Sequence, residues 1–333
     1  MSVSYGAVGW NQFKKRYDAA IAAGVAMFIG SFVGIGAAVH PDATLETLLI
    51  RALALAAFLM LHVILSIGPL CRLYPALLPL LYNRRHLGVS MFAVALAHAA
   101  FATVQFHALG NVSPLVSLLT TGLGFQTFGL AALAILFLMA ATSHDFWLAN
   151  LSARVWKSLH MGVYLAYALL VLHVLFGALR SEISPALAVA TGAGMAWLLA
   201  IHVVAGRREV PRDRPSLRGP DGWIDAGPAA EIPDDRARIV CGTERIAVFR
   251  YGGKISAVSN VCRHQAGPLG EGRILDGCIT CPWHGYQYVP RNGRSPAPFT
   301  EKIATYDVRI VAGRVFVNPS AHEPETSVEP AYV

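Results

Sequence analysis

A chain of 333 residues is long enough for two domains, and this one is 55% hydrophobic and only 14% charged, with a mean hydropathy of +0.49, outside the usual range of a single soluble globular protein. That balance asks for membrane spans, and the formal charge of +7 fits basic loops between apolar segments, so no nucleic-acid partner is expected. The five cysteines are too scattered for a secreted disulfide framework and suit a reducing compartment.

The first eighteen residues carry Lys14, Lys15 and Arg16 without a small-residue cleavage site, and read as a retained cytoplasmic flank. Six apolar segments follow at 19–40, 47–69, 84–108, 122–142, 154–178 and 184–205, each near the roughly 20 residues a spanning helix needs. The predicted fold class is therefore an α-helical membrane bundle of six transmembrane helices over residues 1–205, followed by a small all-β domain. One set of helix ends carries Lys14, Lys15, Arg16, Arg72, Arg84, Arg85, Arg154, Lys157, Arg207, Arg208, Arg212, Arg214 and Arg218, whereas the other has only Arg51 and Arg180. The basic ends mark the cytoplasmic face, which puts both termini inside. The expected location is the inner (plasma) membrane of a bacterium, with the lipid bilayer as partner.

Residues 206–220, GRREVPRDRPSLRGP, read as a basic, Pro-rich linker suited to anionic headgroups. From 221 to 318 the pattern changes to short alternating runs: ERIAVFRY at 244–251, KISAVSN at 254–260 and YDVRIVAGRVFV at 306–317, the last turning at Ala312-Gly313. This is hairpin-rich antiparallel β, a small sandwich or barrel. Residues 319–333, PSAHEPETSVEPAYV, have the composition of a disordered tail.

Within the β region lies CRHQAGPLGEGRILDGCITCPWH, residues 262–284. It supplies Cys262 and His264 on one loop and Cys281 and His284 on another. Two thiolates and two imidazoles are the ligand set of a Rieske [2Fe-2S] centre; zinc also accepts two Cys and two His, although zinc fingers group like with like. The stretch resembles the Rieske family down to the Cys-Pro-x-His-Gly turn at 281–285. The resemblance implies that Cys262 and Cys281 hold the inner iron and that His264 and His284 hold the outer one. High-potential members place a disulfide-forming Cys in each loop and a Ser after the second His; here those positions are Gly267, Trp283 and Tyr286. Fewer donors to the cluster sulfurs favour the low end of the Rieske range, and the likeness is to a Rieske ferredoxin rather than a quinol-oxidising subunit. Tyr288 falls where a Tyr often donates to a Cys sulfur. Cys278, Cys71 and Cys241 read as inert residues.

Ionisable residues inside spans are unfavourable, so each intramembrane His is a functional candidate. The third span carries His86 and His98, and the fifth His160 and His173. At about 1.5 Å per residue these pairs are roughly 18 and 19.5 Å apart along their helices. Two haems fit between the spans, His86 and His160 on the cytoplasmic side and His98 and His173 toward the outside. Spacings of 12 and 13 turn by about 120° and 220° on straight helices, so kinks or rotation must bring each pair to one face. His62 on the second span is the alternative inner ligand to His86. The Arg-Arg-x-Leu-Gly run before His98, and the Leu-His-x-x-Val-Tyr run with a second His thirteen residues on, resemble the ferric-reductase-like transmembrane family, and look like its MsrQ-like haem subunits, over about 45–180.

In oxidases and metalloreductases of that family a cytoplasmic flavin and nicotinamide domain feeds the inner haem. No Gly-rich dinucleotide fingerprint follows a strand here, and the Rieske-like domain stands in the equivalent place. The resemblances imply an oxidoreductase without a catalytic side chain: a cytoplasmic ferredoxin or NAD(P)H-dependent reductase, then the [2Fe-2S] cluster, two b-type haems, and an acceptor at the outer face or in the periplasm. The alternatives are a membrane-anchored Rieske ferredoxin supplying a membrane oxygenase, and a quinol-linked cytochrome running electrons inward.

Overall fold

The computed structural model describes residues 12–105, 124–151, 153–181, 185–210, 215–219, 221–283 and 285–333. The N-terminal half is helical: α1 (Gln12–Val39), α2 (Leu45–Leu73), a short α3 (Pro79–Tyr82), α4 (Arg84–Thr103), α5 (Phe125–Ala141), α6 (Asp145–Asn150), α7 (Ala153–His160), α8 (Gly162–Phe176), α9 (Ala178–Ser181) and α10 (Pro185–Glu209). Five stretches, 12–39, 45–73, 84–103, 155–181 and 187–209, are long and apolar enough to cross a membrane. The fourth expected span, 122–142, is the shorter apolar helix α5, of 17 residues. Residues 106–123, which include the end of the third expected span, lie outside the described residues.

Local chemistry sets several of these boundaries. Thr44 opens α2 by accepting the Thr47 N–H at 3.3 Å, the usual device for an orphan first-turn donor. Asn83 precedes α4, and the turn between the second and third spans is filled by proline-led pieces at Pro75 and Pro79. The fifth span is interrupted at Met161, directly after His160, where Tyr164 N donates to Met161 O at 3.2 Å. The helix therefore does not run straight from His160 to His173. Helix α2 packs against α1, α4 and α10, while α5 packs on α8. The shared core comprises Leu61, Leu65, Met91, Ala132, Leu136, Ala166, Leu198 and Ile201.

The C-terminal half is all β. Strands β2 (Arg236–Cys241), β3 (Arg245–Tyr251) and β4 (Lys254–Ser259) form an antiparallel sheet. The β3–β4 hairpin turns at Gly252-Gly253, with φ of 51° and 73°, a left-handed pair that glycine adopts freely. A second sheet orders β1 (Ile224–Pro228), β10 (Arg314–Val317) and β9 (Val308–Val311), turning at Ala312-Gly313 as the sequence predicts. A third, small sheet of β5 (Arg273–Leu275), β6 (Cys278–Thr280) and β7 (Gln287–Tyr288) carries the second Cys-His loop. Along β3, Ile246 and Val248 enter one core with Ile224, Val240 and Val317. Ala247 and Phe249 enter another, with Leu269, Ile279, Tyr286, Tyr288 and both Cys262 and Cys281. The period-two alternation of a strand buried on both faces thus builds two cores, and the candidate cluster site belongs to the second.

Two expectations change. Residues 319–333 are not a disordered tail: β11 (Ala331–Tyr332) pairs with the edge of β4, Val328 N donates to Arg291 O at 2.8 Å, and Glu325 pairs with Arg294 at 3.0 Å and Lys302 at 2.6 Å. A Pro- and Glu-rich composition argues for disorder only when nothing nearby offers a free strand edge and basic partners. Of the expected linker 206–220, residues 211–214 and 220 lie outside the described residues, and the others are tied to their neighbours. Helix α10 runs through Glu209, Ser216 exchanges hydrogen bonds with Cys241, and Asp225 N donates to Leu217 O.

Candidate functional site

Both candidate loops are the same turn built twice. Cys262 N donates to Gly267 O at 2.9 Å and Ala266 N to Cys262 O at 2.8 Å; Cys281 N donates to Tyr286 O at 2.7 Å and Gly285 N to Cys281 O at 3.0 Å. In each turn the residue four after the Cys is left-handed, Ala266 at φ 56° and Gly285 at φ 69°. The Asn260 side chain braces the first loop by accepting Gly270 N at 2.6 Å. Gly267 leaves no room for a side chain, since a Cβ there would lie 2.8 Å from Cys281 Sγ and 3.1 Å from the Trp283 ring. The two positions that carry a disulfide in high-potential relatives do face each other, filled here by a hydrogen and an indole.

Around the sulfurs the chain places donors. The Tyr288 hydroxyl lies 3.3 Å from Cys262 Sγ and accepts the Arg263 N–H at 3.0 Å. Burial pushes the Cys262 thiol up, but hydrogen bonds with Cys281, Tyr288 and the backbone at His264 and Gln265 outweigh it, and the thiol sits below its ordinary value. Burial, reinforced by the Cys262 sulfur, holds the Tyr288 hydroxyl well above its ordinary value, so it remains a donor. A pocket of this kind favours thiolate, the form that binds metal. His264 stacks on Tyr286 with ring centroids 4.8 Å apart and 11° between planes, which fixes the imidazole's orientation; Tyr286 is the residue that sequence reasoning valued only as a missing Ser. His284 lies outside the described residues.

Residues 222–307 match the Rieske [2Fe-2S] domain family. The ferredoxin subunit of anthranilate 1,2-dioxygenase from Burkholderia cepacia is 40% identical over 98 residues, which span 29% of this chain and 91% of that protein. The chain belongs to the Rieske [2Fe-2S] family. The ferredoxin component of the naphthalene 1,2-dioxygenase system of Pseudomonas aeruginosa is 34% identical over 100 residues, 29% of this Rieske chain and 96% of the relative. Among solved structures, the complex of reduced oxygenase and oxidised ferredoxin in carbazole 1,9a-dioxygenase aligns with a TM-score of 0.29 at 26% identity, covering 30% of this chain and 96% of that one. The Sphingomonas yanoikuyae B1 ferredoxin aligns at 0.27 and 26%, covering 29% and 97%. Residues 51–171 match the ferric reductase like transmembrane component, so the Rieske domain is fused to a ferric-reductase-like membrane domain. The two together give the chain an electron-transfer role.

In that membrane domain each candidate histidine has its Nδ1 tied. His98 Nδ1 lies 3.1 Å from Ile50 O and His173 Nδ1 2.8 Å from Phe125 O; His160 Nδ1 lies 3.0 Å from Trp156 O. His98 and His173 face each other from α4 and α8 with ring centroids 6.4 Å apart. Gly129 of α5 makes this possible, since a Cβ there would meet His173 Nδ1 at 2.8 Å. His160 stacks on Trp156 at 3.7 Å, with Ser143 Oγ 3.4 Å from its Nε2. His86 turns to α1, its Nδ1 2.9 Å from Asp18 Oδ1. His62 is engaged at both nitrogens, by Phe58 O at 2.9 Å and the Tyr167 hydroxyl at 3.1 Å. Asp18 was missed by sequence reasoning, although a carboxylate close to a span is the kind of signal that asks for a partner.

Proposed function

We propose that the chain is a transmembrane electron wire. Cys262, His264, Cys281 and His284 hold the [2Fe-2S] cluster, residues 1–205 bind two b-type haems, and electrons run from a cytoplasmic donor to an acceptor at the outer face of a bacterial inner membrane. The observation that carries this reading is the His98–His173 pair. Their ring centroids are 6.4 Å apart, a separation that would leave room for one iron held by both imidazoles. Both Nδ1 atoms are held by backbone carbonyls, leaving Nε2 for metal, as ligating histidines are commonly oriented. When bound, the cluster and haems supply one-electron chemistry without bond making. The polypeptide's part is to orient imidazoles, aim donors at sulfur and exclude water. For the inner haem, His160 and His86 are the proposed ligands. Asp18 would orient His86 as a carboxylate orients a metal-bound imidazole, whereas the Nε2 of His62 is already taken by Tyr167.

The cytoplasmic assignment rests on the basic helix ends, and the donor is a ferredoxin or an NAD(P)H-dependent reductase. Reduced-minus-oxidised optical and EPR spectra of the purified protein, with iron and haem quantified per chain, test the whole. A Rieske signal together with bis-histidine b-type haem is the expected result; a haem-free spectrum would overturn it. That second outcome would favour a membrane-anchored ferredoxin for an oxygenase, which the dioxygenase ferredoxins among the relatives make the leading alternative.

A further inference from the structure

The second cluster loop does not end in solvent. Its Trp283, two residues after Cys281, packs on a small apolar patch at one end of the helices, where Ile67, Cys71 and Leu81 are buried beside Leu77, Leu78 and Leu87. The Arg84 guanidinium lies over the indole, 5.6 Å from the ring centroid, the geometry of a cation–π contact. Arg84 also reaches inward. One of its nitrogens sits where Gly68 of α2 leaves room, 3.4 Å from the place a Cβ would take. Near the same end of the helices, the Arg245 guanidinium of the β domain pairs with Glu209 at the end of α10 at 3.1 Å. With Ser216 and Leu217 already stitched to the β domain, the covalent tether between the two halves is short.

We propose that Trp283 is the positioning residue that seats the [2Fe-2S] loop on the membrane domain, and that the Trp283–Arg84 contact is where electrons cross between the halves. The inference rests on the wire reading above and adds its crossing point. One electron leaves the reduced cluster, which is oxidised, and reduces one ferric haem; no bond is made or broken, no proton moves, and the indole acts through its place rather than by being oxidised. A soluble one-electron donor therefore meets the β domain on a face away from the Trp283–Arg84 contact.

The test uses the full-length holoprotein and reads docking and transfer separately. Paired Glu209→Cys and Arg245→Cys substitutions replace the ion pair by two thiols, and the yield of their bridging by a short bis-maleimide reports the docked state. Dithionite in a stopped-flow cell reduces cluster and haem alike, so transfer is read as the excess of haem reduction over that of the cluster-free Cys262→Ser protein. Truncating a seated aromatic anchor, Trp283→Ala, is expected to lower crosslink yield and to slow this cluster-dependent haem reduction by about tenfold or more, with iron and haem content unchanged. Trp283→Phe, which keeps an apolar ring over the patch, recovers most of the rate, and installing the crosslink in the Trp283→Ala protein restores it. Transfer at the unsubstituted rate in uncrosslinked Trp283→Ala would overturn the proposal, as would a slow rate that the crosslink does not rescue. Absence of cluster-dependent haem reduction in the unsubstituted protein, with cluster and haem both present, would instead overturn the wire and with it the electron role of this contact; the crosslink yield would still judge the seat.

Discussion

The two halves of the molecule solve opposite problems. In the Rieske domain β3 is buried on both faces, and Ala247, Val248 and Phe249 are all fully enclosed; water drives the packing. In the membrane half α1 runs for 28 residues with Lys14 its only buried residue, and lipid rather than protein covers the apolar stripe. The difference extends to the sites. The Rieske loops are closed by hydrogen bonds among near neighbours in sequence, so ligand geometry is a local property. His98 and His173 meet only because α4, α5 and α8 pack together, with Gly129 admitting the imidazole.

That contrast orders the expected effects of substitution. The largest is Cys262→Ser or Cys281→Ser, which should abolish the cluster and loosen the core built around both sulfurs. Iron and labile sulfide analysis and EPR check it, and unchanged haem content would show that the halves fold independently. Next, if the proposed pair of haems is bound, His98→Ala or His173→Ala should roughly halve haem per chain by removing a proposed ligand, with the Rieske EPR signal intact; if both haems stayed bound, the outer-ligand assignment would fail. Phe249→Ala, wholly inside the β domain, should destabilise that domain by about 3–5 kcal/mol, seen as an earlier denaturant midpoint for the β-domain signal while the haem spectrum holds. The smallest effect is Tyr288→Phe. Losing one hydrogen bond of about 1 kcal/mol should lower the cluster's one-electron potential by roughly 40 mV, and an unchanged redox titration would remove Tyr288 from the tuning of the centre.

The same contrast explains what could be read in advance. Hydropathy and length located the spans because lipid imposes one simple demand on residues over that length. The Cys-x-His and Cys-x-x-His pairs were legible because each loop closes within five residues. Tyr288 was legible by resemblance. The break at Met161 was not, because nothing in Leu-His-Met-Gly-Val announces that the helix will reset after His160. The order of residues 319–333 was hidden too, since its partners, the β4 edge and Arg291, Arg294 and Lys302, lie far back in the chain. The seat of Trp283 required both halves at once: its own loop shows only an aromatic residue beside a ligand, and Ile67, Cys71 and Leu81 look like ordinary span residues.

The doubled turn at Cys262–Gly267 and Cys281–Tyr286 bears on how fast the centre can work. A one-electron carrier is slowed by every atom that must shift when its charge changes. Here each sulfur hangs from a ring closed by two backbone hydrogen bonds of 2.7–3.0 Å, one imidazole is stacked on a fully buried Tyr286, and the nearest hydroxyl is already aimed at sulfur. Donors fixed before the charge arrives need no rearrangement when it does. Closing two small loops in this way would keep the reorganisation barrier of a bound cluster low, the quantity that lets a modest driving force move electrons quickly.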